Sequence, residues 1–257
     1  MLALERQKRI IEQIEKEESV KVIELSKAFD VTEETIRRDL EKLEKQGILK
    51  RTYGGAVLET SNGKEAEDTP FNTRVKQNIT GKQKIALAVA SLLKDNEVVM
   101  LDPSTTCLEI AKRIDKEKHL TVITNSISVL SELSNHEALN ILSTGGTLRK
   151  RSLSLIGPTA KDNIRNYYAD KAVISCKGAD LHRGLMDTNE LEIEIKKAMI
   201  SCAKEIILAI DSTKIEKKSM YKLMELKEVD YIVVDAPLSE EWVRYCKDNT
   251  IQAIICE

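Results

Sequence analysis

From Glu97 onward the chain carries seven short apolar runs, EVVMLD, LTVITN, LNILSTGG, KAVISCKG, EIILAID, YIVVDA and TIQAIICE, separated by stretches with helical spacing. Such runs are too short for ordinary helices, and they lack the in-out alternation of a strand that faces water on one side. A strand apolar at consecutive positions must be covered on both faces, and the helical spacers are what return the chain to begin a parallel neighbour. The pattern predicts an α/β domain with a mostly parallel sheet between helical layers, opened by an amphipathic helix over Gly81–Asp95. No internal repeat or low-complexity tract interrupts it.

The first part of the chain has a different pattern. Ile10, Ile11 and Ile14 fall at helical spacing, and Lys21–Phe29 forms a second short helix with Val22, Leu25 and Phe29 inward. After a turn at Asp30-Val31, Thr32 is a good N-cap, and Glu33 and Glu34 place acidic charge against the positive end of a third helix. Ile36, Leu40 and Leu43 mark its buried face and Gly47 its end. At 100° per residue, Thr35, Arg38, Lys42 and Lys45 share one exposed flank. Glu33, Glu34, Glu41 and Glu44 share the other, with Arg37 among them. KRTYGGAV then predicts a tight hairpin whose arms carry Lys50, Arg51 and Tyr53. Helices followed by a basic hairpin read as a winged helix-turn-helix. Thr32, Thr35, Arg37, Arg38, Lys42, Lys50, Arg51 and Tyr53 are its candidate DNA-binding residues. The bland alternative is a helical interaction module with a solvated charged face.

At 257 residues the chain suits two domains, divided here as 1–58 (winged helix-turn-helix), 59–73 (linker, from the polar run ETSNGKEAEDTP) and 74–257 (α/β). Met1–Leu58 holds seven Lys and five Arg against ten Glu and two Asp, so indiscriminate attraction to nucleic acid is not expected. The N-terminus is charged from the start and no apolar run approaches bilayer length, which predicts a cytoplasmic protein. Five scattered cysteines and three histidines, with no CxxC pair, argue against a zinc site. Cys176 beside Lys177 reads as a small buried thiol, with a redox switch as the sharper alternative. No metal or cofactor is called for.

In open α/β sheets ligands bind beyond the C-terminal strand ends. Three successive ends lead into polar loops: Asp102-Pro103-Ser104-Thr105-Thr106, then Thr124-Asn125-Ser126, then Gly145-Gly146-Thr147-Leu148-Arg149. Hydroxyls at helix starts, glycines that admit close backbone approach, and an arginine suit an anion. Each loop alone also reads as helix capping or a turn. Further candidates are Lys177, Asp180, Glu194, Lys196 and Lys214, an acid, amine and hydroxyl set fit for a polyol phosphate. The same set suits a sugar-phosphate isomerase carrying an N-terminal interaction module, the alternative function.

Taken together, TIRRDLEKLEKQGILKRTYGGAV, LTVITNS, GGTLR, SLIGPTA, DKAV, EIEIKKAMI and IDSTK resemble, in order and spacing, the DeoR family of bacterial transcription regulators. The resemblance implies a winged helix-turn-helix joined to a sensor domain similar in fold to ribose-5-phosphate isomerase, without catalytic duty. It further implies a phosphorylated sugar as effector, operator DNA as partner, repression of sugar-utilisation genes, and dimers or tetramers. On matching positions, Asp102, Ser104, Thr105, Thr106, Thr124, Asn125, Ser126, Gly145, Gly146 and Arg149 are the implied phosphosugar loops. Asp180, Glu194, Lys196 and Lys214 are similar to the family's polar cluster. The chain departs from the family in two places: Pro103 and Ser104 stand where Ser-Gly is usual, and Ser175–Asp180 replaces Gly-x-x-Gly-Ile-Asp.

Overall fold

The computed structural model describes residues 3–17, 19–45, 49–52, 54–58 and 69–256. The chain divides into two compact units, Met1–Thr73 and Arg74–Glu257. Residues 59–68 of the expected linker lie outside the described residues, as do Tyr53 and the side chains of Lys45 and Lys50.

The first unit runs α1 (Ala3–Glu17), β1 (Ser19–Lys21), α2 (Val22–Phe29), α3 (Glu33–Lys45), β2 (Leu49–Thr52) and β3 (Gly55–Leu58). Its core is the apolar set at helical spacing, Ile10 and Ile14, Val22 and Leu25, and Ile36, Leu40 and Leu43, closed by Val20, Leu49 and Ala56 from the strands. β2 and β3 form the hairpin, with Thr52 opposite Gly55. The sheet has a third strand, β1, which pairs antiparallel with β3. A Cβ on Gly55 would stand 2.1 Å from the Val20 carbonyl oxygen, so glycine is what lets the wing lie against β1.

α4 (Phe71–Lys76) leads into the second unit, which continues with α5 (Ile79–Leu92), β4 (Val98–Leu101), α6 (Thr105–Ala111), β5 (Thr121–Thr124), α7 (Ile127–Leu133) and β6 (Asn140–Ser143). A small hairpin follows, β7 (Thr147–Arg149) and β8 (Ser154–Ile156), then α8 (Pro158–Ile164) and β9 (Ala169–Ile174). The chain goes on through β10 (Gly178–Asp180), β11 (Gly184–Asp187), α9 (Glu190–Ser201), β12 (Ala203–Ile210) and β13 (Tyr221–Met224). It ends with β14 (Tyr231–Val234), α10 (Glu240–Asp248) and β15 (Gln252–Ile255).

All seven apolar runs enter one sheet of order β15-β14-β12-β9-β4-β5-β6, and every pairing in it is parallel. α5 packs on β12 and β14, with α6 and α7 extending that layer. On the opposite face Ala160 and Ile164 of α8, Ile195 and Met199 of α9, and Trp242 of α10 meet Met100, Ala172, Ile174, Ile206 and Leu208. The five inner strands are covered on both faces, as continuous apolar strands require, while the edge strands β6 and β15 stay partly exposed. The chain winds outward from β4 to β6, returns to the other side of β4 as β9, and winds outward again to β15. The winding reverses between β4 and β9, which leaves a crevice beyond their C-terminal ends. A separate three-stranded antiparallel sheet, β10-β11-β13, stands beside it; its strands are too short to leave an apolar run in the sequence.

Candidate functional site

The crevice at the winding reversal is a shallow cleft enclosing about 330 Å³ of non-atom space, the open solvent at its mouth included. It is lined by Pro103, Ser104 and Thr105 after β4, by Ser175, Cys176 and Lys177 after β9, by Glu192 and Lys196 of α9, and by Arg74, Asp187 and Lys214. Beneath the lining lies fully buried Asp102, which accepts the Ser104 N–H (2.9 Å) on one oxygen and the Ser175 N–H (2.8 Å) on the other. One carboxylate thus ties the two strand ends that flank the reversal.

Lys196 is buried under the cleft and donates to Asp187 Oδ2 and to the Ser175 carbonyl, both at 2.6 Å, with Asp102 Oδ2 at 3.2 Å. Burial alone would lower its pKa, but Asp187 and then Asp102 outweigh burial and hold it above the usual lysine range. Burial likewise opposes ionisation of Asp187, yet Lys196 and then Lys177 bring its pKa below the ordinary value. This ammonium is committed to two carboxylates. Arg74, Lys177 and Lys214 also line the cleft, the last paired with Asp211 at 2.9 Å. Among polar groups, the buried Ser175 Oγ accepts and donates no hydrogen bond within the described residues.

The remaining sequence candidates are distributed differently. Thr106 is buried in the first turn of α6, its hydroxyl without a protein partner among the described residues. Thr124 Oγ1 donates to the Leu101 carbonyl (2.6 Å) and accepts the Ser126 N–H, Asn125 Nδ2 donates to the Leu155 carbonyl (2.9 Å), and Ser126 caps α7. These three lock β5 to its neighbours and do not line the cleft. Gly145 and Gly146, at φ +63° and +108°, turn the chain from β6 into β7, and a Cβ on Gly146 would meet the Ile156 carbonyl oxygen at 2.7 Å. Arg149 donates to Ser152 Oγ (2.8 Å) and approaches Glu192 Oε1 (3.5 Å), which also accepts from Ser154 Oγ (2.9 Å). Arg149 therefore stands behind the cleft, holding the carboxylate that lines it.

Asp180 and Glu194 are not brought to the cleft. Asp180 Oδ1 accepts the N–H groups of His182 and Arg183 in the β10–β11 turn. Glu194 is on the exposed side of α9 with Lys161 at 3.2 Å. Arg74, Ser175 and Asp187 line the cleft without having been singled out in the sequence. Arg74 sits next to a polar stretch that reads as linker, and Asp187 ends a strand too short to be legible. Buried Cys176 has its thiol pushed up to about 12, chiefly by burial, so it carries no thiolate near neutral pH. Among the described residues no group of three or more His, Cys, Asp and Glu could hold a metal ion.

In the first unit, Asp30 at φ 51° makes the tight α2–α3 turn, and Thr32 Oγ1 accepts the Thr35 N–H (3.3 Å) at the start of α3. The flanks of α3 are less separate than the helical wheel implies. Glu33 holds Arg37 at 2.6 Å, and Glu34 lies 3.5 Å from Arg38 and 4.0 Å from Arg37, all solvent-exposed. Glu44 joins α3 to the wing through the Arg51 guanidinium (3.3 Å) and backbone N–H (2.8 Å). Lys42 is exposed. Asp39 is a buried acid on the inner side of α3, bound by Arg6 Nε (2.5 Å) and Gln7 Nε2 (2.8 Å) of α1.

A helix-turn-helix with a basic wing, followed by a parallel α/β unit with a cleft at its winding reversal, defines the class of two-part DNA-binding regulators with a ligand-sensing unit. Residues 6–62 match the model of the DeoR-like helix-turn-helix domain and residues 77–236 that of the DeoR C terminal sensor domain. The chain belongs to the DeoR family of transcriptional regulators. Among similar proteins, YulB of Bacillus subtilis, an uncharacterized HTH-type transcriptional regulator, is 41% identical over 98% of this chain and 96% of its own. The L-fucose operon activator of Haemophilus influenzae is 32% identical over 97% and 99%. Among solved structures, ribose 5-phosphate isomerase A of Methanocaldococcus jannaschii overlays at a TM-score of 0.42, with 17% identity over 55% of this chain and 56% of that one.

Proposed function

We propose that this regulator represses a sugar-utilisation operon and that a phosphorylated sugar, bound in the cleft between β4 and β9, controls its hold on operator DNA. The observation that carries the reading is the cleft itself: Arg74, Lys177 and Lys214 for an anionic group, with Ser104, Thr105, Ser175 and Glu192 to meet hydroxyls. Thr35, Arg38 and Lys42 of α3 contact the major groove, and Lys50 and Arg51 of the wing contact the backbone, with Arg37 held in reserve by Glu33. Residues 1–58 read DNA, 59–73 connect, and 74–257 sense the effector and bring copies together as a cytoplasmic homo-oligomer. No catalysis is assigned. Asp180 and Glu194, the acids an isomerase reading relies on, have other partners, and Lys196 is held between two carboxylates. Repression is the sign the family resemblance implies; the L-fucose operon activator among the relatives has the opposite one.

The ligand shifts DNA affinity only by the difference in its affinity for the DNA-competent and incompetent arrangements. Fluorescence anisotropy with DNA from upstream of the protein's own operon, against random duplex at one salt concentration, is expected to give sequence-specific binding that a sugar phosphate weakens. Equal affinity for both duplexes sinks the regulator reading. Specific binding indifferent to every sugar phosphate sinks the effector reading, and tightening by the sugar phosphate reverses the sign.

A further inference from the structure

Arg74 lines the cleft, yet it belongs to α4, the helix through which the chain passes from one unit into the other. Its backbone is gripped. Lys82, almost wholly buried in α5, donates from Nζ to the carbonyl oxygens of Arg74 and Gln77, each at 2.5 Å. These carbonyls come at the end of α4, where the next turn would otherwise supply N–H partners. The Arg74 carbonyl keeps one backbone partner, the Gln77 N–H at 3.2 Å, and the buried ammonium adds a second; burial followed by the charge of Lys214 pushes its pKa down to about 8.

The same junction is tied to the other side of the cleft. Asn78, in the left-handed conformation between α4 and α5, donates from Nδ2 to Asp235 Oδ2 (2.9 Å). The second oxygen of Asp235 accepts the Ser212 N–H (2.6 Å), and Ser212 opens the short turn Ser212–Lys214 whose lysine lines the cleft. Gly81 lets α5 sit directly on this carboxylate, since a Cβ there would stand 2.0 Å from Asp235 Oδ2. Arg74 and Lys214 thus face one cleft from two ends of a run of hydrogen bonds, Arg74–Lys82–Asn78–Asp235–Ser212, joined in the middle by the Lys82 N–H on the Asn78 carbonyl (3.1 Å) and continued to Lys214 by the short turn. An anion that draws the two side chains together cannot be absorbed by slack in the backbone of Arg74.

We propose that Arg74 contacts the anionic group of the effector and that the Lys82 clamp turns this contact into a displacement of α4, through which occupancy of the cleft is reported to the DNA-reading unit. The proposal rests on the reading of the cleft as an anionic-effector site and adds the residue and the path that couple it. Other lining groups bind; this one binds and transmits.

The test uses the full chain, with inorganic phosphate and glucose 6-phosphate as probes in calorimetry and upstream DNA in anisotropy. In the unaltered protein a bound probe is expected to change DNA affinity by at least about fivefold. Arg74→Gln is expected to weaken probe binding roughly tenfold by removing a charge-assisted contact. Lys82→Met is expected to keep probe affinity within about threefold while the change in DNA affinity falls below about twofold, because binding and transmission are separated. Asn78→Ala, which removes only the amide held by Asp235, reads the same uncoupling if Lys82→Met does not fold. Unchanged probe affinity in Arg74→Gln, or full coupling in the folded clamp variant, overturns the proposal alone. Failure of the unaltered protein to bind either probe overturns the anion reading of the cleft and this proposal with it.

Discussion

Lys196 shows how far a residue's chemistry is set by its neighbours. Its sequence context, a lysine in EIEIKKAMI, suits a solvated ion pair, but it is buried between Asp187 and Asp102. Removing one partner from a buried ion pair leaves uncompensated charge, so Lys196→Met is expected to cost about 3–5 kcal/mol in urea unfolding. Asp187 adds a pH dependence. Its folded pKa lies below its unfolded value, so the stability it contributes is complete above the unfolded value of about 4 and is lost as pH falls through the folded one. The urea midpoint should therefore fall more steeply below about pH 4 in the unaltered protein than in Asp187→Asn; parallel curves would remove Asp187 from the acid response. On α3, Arg38→Ala is expected to weaken specific binding by about 1–3 kcal/mol and random DNA little, whereas Lys42→Ala weakens both and flattens the salt slope. Equal losses for Arg38→Ala on both duplexes would make it a phosphate contact.

At the scale of elements, α3 and the wing are positioned by groups whose importance does not show in a helical wheel. The Ile36, Leu40 and Leu43 stripe was legible because its period matches the helix. The buried Asp39 was not, because burial of an acid depends on Arg6 and Gln7, more than thirty residues away. β1 was illegible for a related reason: three residues, SVK, have a strand's pattern only once β3 lies beside them. That contact makes a prediction about Gly55. Gly55→Ala is expected to push the wing off β1, lowering the thermal midpoint and weakening specific and random DNA binding together. An unchanged midpoint would mean that β1 and β3 separate without cost.

For the whole molecule the governing fact is charge balance. Net charge is −2, and residues 1–58, which hold most of the helix-turn-helix match, are neutral overall, with Arg37, Arg38 and Arg51 each beside a carboxylate. Few phosphates can be neutralised by such a surface, so the slope of log K against log salt is expected near −3 per bound copy. A slope steeper than about −6 per copy would show phosphate contacts beyond those of α3 and the wing. Useful affinity then calls for copies acting together, the role the proposed function gives to the second unit.

The sequence by itself determined what periodicity and composition encode. The helix-helix-helix-hairpin order, the seven strands of one sheet with their helical spacers, and a neutral helix-turn-helix end were all readable because each depends on residues close together in the chain; that β6 and β15 would be exposed edges was not. Strand ends were readable as the place to look, but of the three loops singled out there only Asp102–Thr106 reaches the cleft. Which residues line the cleft was decided only by the tertiary structure. Winding order placed the crevice between β4 and β9, turned Thr124–Ser126 inward to hold the sheet, set Arg149 behind Glu192, sent Asp180 and Glu194 elsewhere, and brought Arg74 in from α4. The physical reason is that side-chain direction at a strand end depends on what packs beside it, and those neighbours come from remote parts of the chain.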